Sequence, residues 1–148
     1  MNSLTQSIVV GVIVFALSQY LLKLILEPII EFRKLLSEIS HTLLYYQQEI
    51  LSGEWEDTNI DKEIAGLSAN LRSSVYLIPF YGFLQKLRIF GLPKRGNILL
   101  ACRKLNVLSY PLLENVENKR DKAKNNKTIL KELSGLLSIE TTFMLKDE

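Results

Sequence analysis

The sequence predicts an all-α protein, with one N-terminal transmembrane helix continuing into a cytoplasmic helical bundle of about four or five helices. Three observations carry this. Residues 8–22 read IVVGVIVFALSQYLL, and Leu24-Ile25-Leu26 carry the apolar run past Lys23. From there to Ile50 apolar side chains recur at helical spacing. Nowhere does apolar and polar alternation hold for the length of a half-buried strand. The division expected is a membrane anchor over 1–27 and a cytoplasmic helical domain over 28–148.

Counted from Leu4, the first run has about 20 apolar-dominated residues, enough for a hydrocarbon core of roughly 30 Å. A cleaved signal peptide needs a basic leader and a small-residue cleavage site. The leader MNSLTQS has no Lys or Arg, and SQYLLK offers no such site, so a retained anchor is expected. Lys23, Arg33 and Lys34 all follow the run. The positive-inside rule then puts the N-terminus outside and the domain in the cytoplasm.

Beyond Lys23 the apolar positions Ile25, Ile29, Phe32, Leu36, Ile39, Leu43, Tyr46 and Ile50 alternate in steps of four and three, a heptad seam. Extended backwards in the same phase, the seam takes in Leu22, Ser18, Phe15, Gly11 and Ile8. Gly11 and Ser18 are small, which favours close helix approach in lipid. Two uses of the seam stay open: association with further copies, or packing on the chain's own later helices. Flanking Ile30, Leu35 and Leu44 widen the stripe and favour internal packing for the cytoplasmic part. Pro28, without an N–H, is expected to bend the helix near its membrane boundary.

The long helix is expected over 28–51, ending in the polar stretch SGEWEDTN. A second helix follows over 61–78 with Asp61 as its cap. Short helices are expected over 80–90 and 94–109, ended by Gly91-Leu92-Pro93 and Pro111 respectively. The charged stretch NVENKRDKAKNNK reads as a solvated helix end or a loop. A last amphipathic helix is expected over 128–143.

Charge is unevenly spread although the net value is only +2. Between Glu31 and Glu63 acids dominate; between Lys86 and Lys131 twelve bases face three acids. Lys94, Arg95, Arg103 and Lys104, with Lys119, Arg120, Lys122 and Lys124, are the candidate anion-binding residues. Under a membrane, anionic lipid is the first ligand to consider, at about 1 kcal/mol per nearby base. A phosphate-bearing ligand or nucleic acid comes next, and a solvated face with no partner is the third possibility.

Catalytic devices are largely excluded by inventory. One His and one Cys cannot build a Cys/His zinc site within a chain. No phosphate loop, dinucleotide fingerprint or nucleophile elbow occurs. Cys102 and His41 are the one conceivable nucleophile and base. Cys102, however, lies among Leu100, Ala101 and Leu105, where an inert buried thiol is the common outcome. No metal, cofactor or enzymatic activity is expected. The expected partners are the bilayer and further copies of the chain or another membrane protein.

Two blocks, LEPIIEFRKLLSEI and YLIPFYGFLQKLRIFGLPKRGNILLACRKL, give the chain a familiar plan. It resembles short bacterial single-pass membrane proteins with a helical cytoplasmic domain, some of which resemble the membrane effectors of anti-phage systems in layout. The resemblance implies a single span with a helical cytoplasmic domain at the bacterial inner membrane and attaches no activity to any residue.

Overall fold

The computed structural model describes residues 3–52, 59–88, 90–110 and 119–143, and of Lys119 and Arg120 only the backbone. The fold is all-α, with no strand among the described residues. The helices are α1 (Ser3–Leu21), α2 (Glu27–Tyr45), α3 (Gln47–Ser52), α4 (Ile60–Leu77), α5 (Tyr81–Leu87), α6 (Arg95–Ser109) and α7 (Lys119–Leu137). A π-helical turn over Leu22–Leu26 joins α1 to α2. The three pieces form one helix of 43 residues, Ser3–Tyr45, long and apolar enough to cross a membrane.

Pro28 explains the π turn. In a regular α-helix its ring would strike the carbonyl of Leu24, and it has no N–H to donate. The wider turn relieves this, and the Glu27 N–H bonds back five residues to the Leu22 carbonyl. A π turn holds about one extra residue, so it rotates everything beyond it by roughly 100° relative to a straight α-helix. The heptad seam is therefore continuous in sequence and broken in space at Leu22–Leu26.

α2 buries Ile29, Phe32, Leu36, Ile39 and Leu43, and α3 continues this face with Ile50. The expected helix over 28–51 is thus interrupted at Tyr46, whose backbone (φ −96°, ψ 20°) leaves the helical region. Asn59, not Asp61, precedes the first residue of α4, and Asp61 lies in the first turn. Ile64, Leu67, Leu71 and Val75 of α4 complete that helix's buried stripe.

The helices alternate in direction. The ring of Phe32 meets that of Tyr81 edge-on with centroids 6.4 Å apart, while ten residues on, Thr42 Oγ1 donates to Glu63 Oε1 at 3.1 Å. α4 therefore runs back toward the π turn alongside α2. It packs most extensively against α6, where Ser68 Oγ donates to the Cys102 carbonyl at 2.9 Å. The buried Ala101 and Cys102 are small, which allows this close approach. α6 leads away again, and Lys104 pairs with Glu132 on α7. Asn126 of α7 donates from Nδ2 to the Ile50 carbonyl at 2.6 Å, closing α7 onto α3.

α7 starts at Lys119, nine residues before the helix expected over 128–143, and it ends at Leu137. Ser138 adopts the left-handed conformation (φ 56°) and stops it. Residues 139–143 then lie back on the domain. Thr141 Oγ1 donates to the Leu130 carbonyl, Ser40 Oγ to the Glu140 carbonyl, and the Phe143 N–H to Gln47 Oε1. One apolar core runs through α2, α3, α4, α6 and α7, and each fully buried Leu or Ile in it contributes about 1.5–3 kcal/mol against chain entropy.

Candidate functional site

Two regions stand apart from the core: α1, and the end of the domain next to the π turn. α1 is apolar on every side, and none of its residues is buried. Of the seam expected to bring copies together, Ile8, Gly11, Phe15, Ser18 and Leu22 are exposed. Ile25 is half-buried, and Ile29, Phe32, Leu36, Ile39 and Leu43 are buried by the chain's own helices. In that half the apolar area is spent on α4 and the helices around it, the internal packing that the flanking apolar residues favour. Gly11 has open space around a notional Cβ, and Ser18 Oγ is satisfied by the Val14 carbonyl one turn back at 2.8 Å.

The end next to the π turn is built from α5, the following loop and the start of α6. Phe80 (φ 54°) and Arg88 (φ 53°) both adopt the left-handed conformation and bracket α5, which is why that helix covers only part of the expected 80–90. Tyr81 is the keystone. Its side chain is 0% exposed, its ring packs on Phe32, and its hydroxyl donates to the Pro93 carbonyl at 2.6 Å. Burial pushes its pKa up to about 12, and nearby Arg95 pulls it down by less. Arg33 reaches across from α2 and donates through Nε and Nη2 to the Phe90 carbonyl at 3.2 and 2.7 Å. The adjoining Gly91 (φ 58°) leaves room for that guanidinium, since a Cβ there would lie 3.0 Å from Nη2.

The candidate basic residues are not brought together. Lys94 is exposed at the α6 start, and the Arg95 guanidinium lies 5.3 Å over the Tyr81 ring. Arg103 is exposed two turns further along α6, and Lys104 pairs with Glu132. The α7 segment that carries Lys119, Arg120, Lys122 and Lys124 begins at the opposite end of the domain, beside Ile50. From Pro28 to Ile50 is 22 residues, or about 33 Å of helix at 1.5 Å each. The eight candidates therefore lie in separated groups, Lys94 and Arg95 at one end of the domain, the α7 segment at the other, and Arg103 and Lys104 between them.

Between α4 and α6 lies a cleft of about 60 Å³ lined by Arg72, Val75, Tyr76, Arg95, Ile98 and Leu99. That holds a few water molecules, whereas an open, mostly apolar depression of about 500 Å³ lies at the α2–α3 junction, lined by Leu44, Tyr45, Gln47, Gln48, Leu51 and Phe143. Cys102 is 4% exposed, and desolvation raises its thiol pKa against smaller lowering effects of Ser68 and Arg72. A thiol held neutral is a poor nucleophile. Glu38-Ile39-Ser40-His41 has the E-x-x-H spacing of some metal helices, yet both Glu38 and His41 are exposed, and His41 stacks on Tyr45. No group of three or more potential metal ligands occurs among the described residues.

Comparison with protein-family models, with curated proteins and with solved structures finds no match to this chain.

Proposed function

We propose that the chain is a non-enzymatic single-pass membrane protein whose span and domain serve assembly or partner binding in the inner membrane. The observation that carries this is α1, a helix apolar on every side with no residue covered by the rest of the chain. Leaving a large aliphatic side chain in water forfeits about 1.5–3 kcal/mol, so such a helix needs lipid or other apolar helices around it. Retention of the span is supported by its passage, without an end, into α2, whose Ile29, Phe32 and Leu36 belong to the core. Lys23, Arg33 and Lys34 on the domain side favour a cytoplasmic domain and an outside N-terminus. Because the domain half of the seam is occupied internally, association of copies falls to the span, along Ile8, Gly11, Phe15 and Ser18.

The full chain is expected to stay in the membrane pellet after alkaline carbonate extraction; release into the supernatant would remove the reading. Orientation is checked with an impermeant thiol reagent, since buried Cys102 gives little background. Ser3→Cys should label in intact cells stripped of their outer membrane, and Lys131→Cys only after lysis. Assembly is read by mass analysis in detergent. The native chain is expected as a multimer and Gly11→Ile as a smaller species, because the added side chain keeps backbones apart. A native monomer would sink the assembly reading.

A further inference from the structure

The end of the domain next to the π turn carries an apolar surface that the core does not use. Tyr81 and Leu84 turn one face of α5 inward. The other face presents Phe80, 74% exposed, Phe83, 63% exposed, and Leu87, with Leu77 at the end of α4 beside them in the chain. Phe83 and Leu87 stand four residues apart on one face of α5, and Phe80 directly precedes its first turn. Phe80 also holds a left-handed backbone, a strained state for a bulky aromatic that places the ring outward.

The level of this stripe identifies what it faces. The Phe32–Tyr81 ring contact and the Arg33–Phe90 hydrogen bonds set α5 and its loop beside the first turns of α2. Phe32 is four residues past Pro28, about 6 Å along the axis. The same stretch is charged to match an anionic surface. Residues 80–95 contain Lys86, Arg88, Lys94 and Arg95 and no acid, while residues 23–34 add Lys23, Arg33 and Lys34 against Glu27 and Glu31. Aromatic side chains with flanking bases, at the height where an apolar span ends, are the composition of a helix that lies in a membrane interface.

We infer that α5 is a second membrane contact: Phe80, Phe83 and Leu87 enter the headgroup region of the anionic leaflet beside the span, and Lys86 and Arg88 pair with its phosphates. This rests on the single-span reading. The domain is thereby held at the bilayer at two points, the span and α5, while its far end stays in water.

The test uses the full chain with Trp55→Phe, reconstituted in vesicles of neutral and anionic phospholipid, part of it brominated near the headgroup in one set and deep in the acyl chain in a second set, which reads Phe15→Trp. A Trp at each of three positions reports lipid contact. Phe15→Trp reads the span, Phe83→Trp reads α5, and Tyr110→Trp, exposed at the far end of α6, serves as the aqueous control. Insertion of about 5–10 Å is expected to quench Phe83→Trp roughly twofold and to leave Tyr110→Trp unchanged. Adding Lys86→Gln and Arg88→Gln should weaken the Phe83→Trp quenching in anionic vesicles. Phe15→Trp quenched with Phe83→Trp unquenched would overturn the inference and keep the span. That holds whether Phe83→Trp emits as a water-exposed ring or as one buried against a second copy. Phe15→Trp unquenched would overturn the single-span reading itself.

Discussion

Tyr81 joins three segments through one side chain: its ring meets α2, its hydroxyl the Pro93 carbonyl, and its face the Arg95 guanidinium. Tyr81→Phe keeps the packing and leaves the Pro93 carbonyl without its donor, a loss of about 1 kcal/mol in thermal unfolding in detergent. The same residue sets a pH dependence. A phenol in the unfolded chain ionises near 10, whereas folded Tyr81 holds its proton to about 12. Between those values the folded state binds more protons, so stability falls as pH rises from 10 to 12 and is fully present below 10. The melting temperature of Tyr81→Phe is expected to fall less over that window than that of the native chain. An equal fall would remove Tyr81 as its source. Asn126 illustrates what residue type alone conceals. It sits in a charged stretch and reads as solvent-facing, yet it is buried and bonded to Ile50.

At the scale of elements, the apolar periodicity of the long helix was legible and its geometry was not. Steps of three and four marked Ile29, Phe32, Leu36, Ile39 and Leu43 as one face, and that face is buried. Whether it meets a second copy or the same chain depends on helices that lie roughly 20 to 50 residues further along the chain. The π turn escaped a reading based on phase, because one extra residue in the turn leaves the spacing in sequence unaltered. Ile39→Ala should cost about 2–5 kcal/mol of domain stability through the cavity it leaves. Ile8→Ala, on the exposed half of the seam, should leave domain unfolding by circular dichroism unchanged. Equal effects would mean that the two halves share one structural role. The start of α7 was missed for a comparable reason. The pattern of Ile129, Leu130, Leu133 and Leu137 continues upstream through Asn126, whose polarity hides a core position.

For the whole molecule, the alternating helix directions decide which charges share a level. Lys94 and Arg95 come to the α5 end, and the α7 bases to the opposite end, about 33 Å of helix away and beyond the ~8 Å reach of surface charge at physiological salt. If the span holds the domain at a membrane, Lys86→Glu with Arg88→Glu should lower the lipid contact of α5 by roughly fivefold per residue, from about 1 kcal/mol each. Lys124→Glu with Lys127→Glu should leave it unchanged, by the same quenching readout. A matching loss from the α7 pair would mean that the far end faces lipid too.

The helical class, the one run long and apolar enough to cross a membrane, the polar boundaries of α4 and α6, and the apolar faces that became the core could all be read along the chain. These depend on hydropathy and spacing within a few turns of chain, which local sequence carries in full. Packing between distant segments settled the rest: the domain half of the seam is consumed internally, the eight candidate bases fall into separated groups, and α5 presents aromatics beside the end of the apolar run. Those outcomes depend on which helix lies next to which and in what direction. They are set by contacts such as Phe32–Tyr81, Ser68–Cys102 and Asn126–Ile50, each between residues more than thirty positions apart.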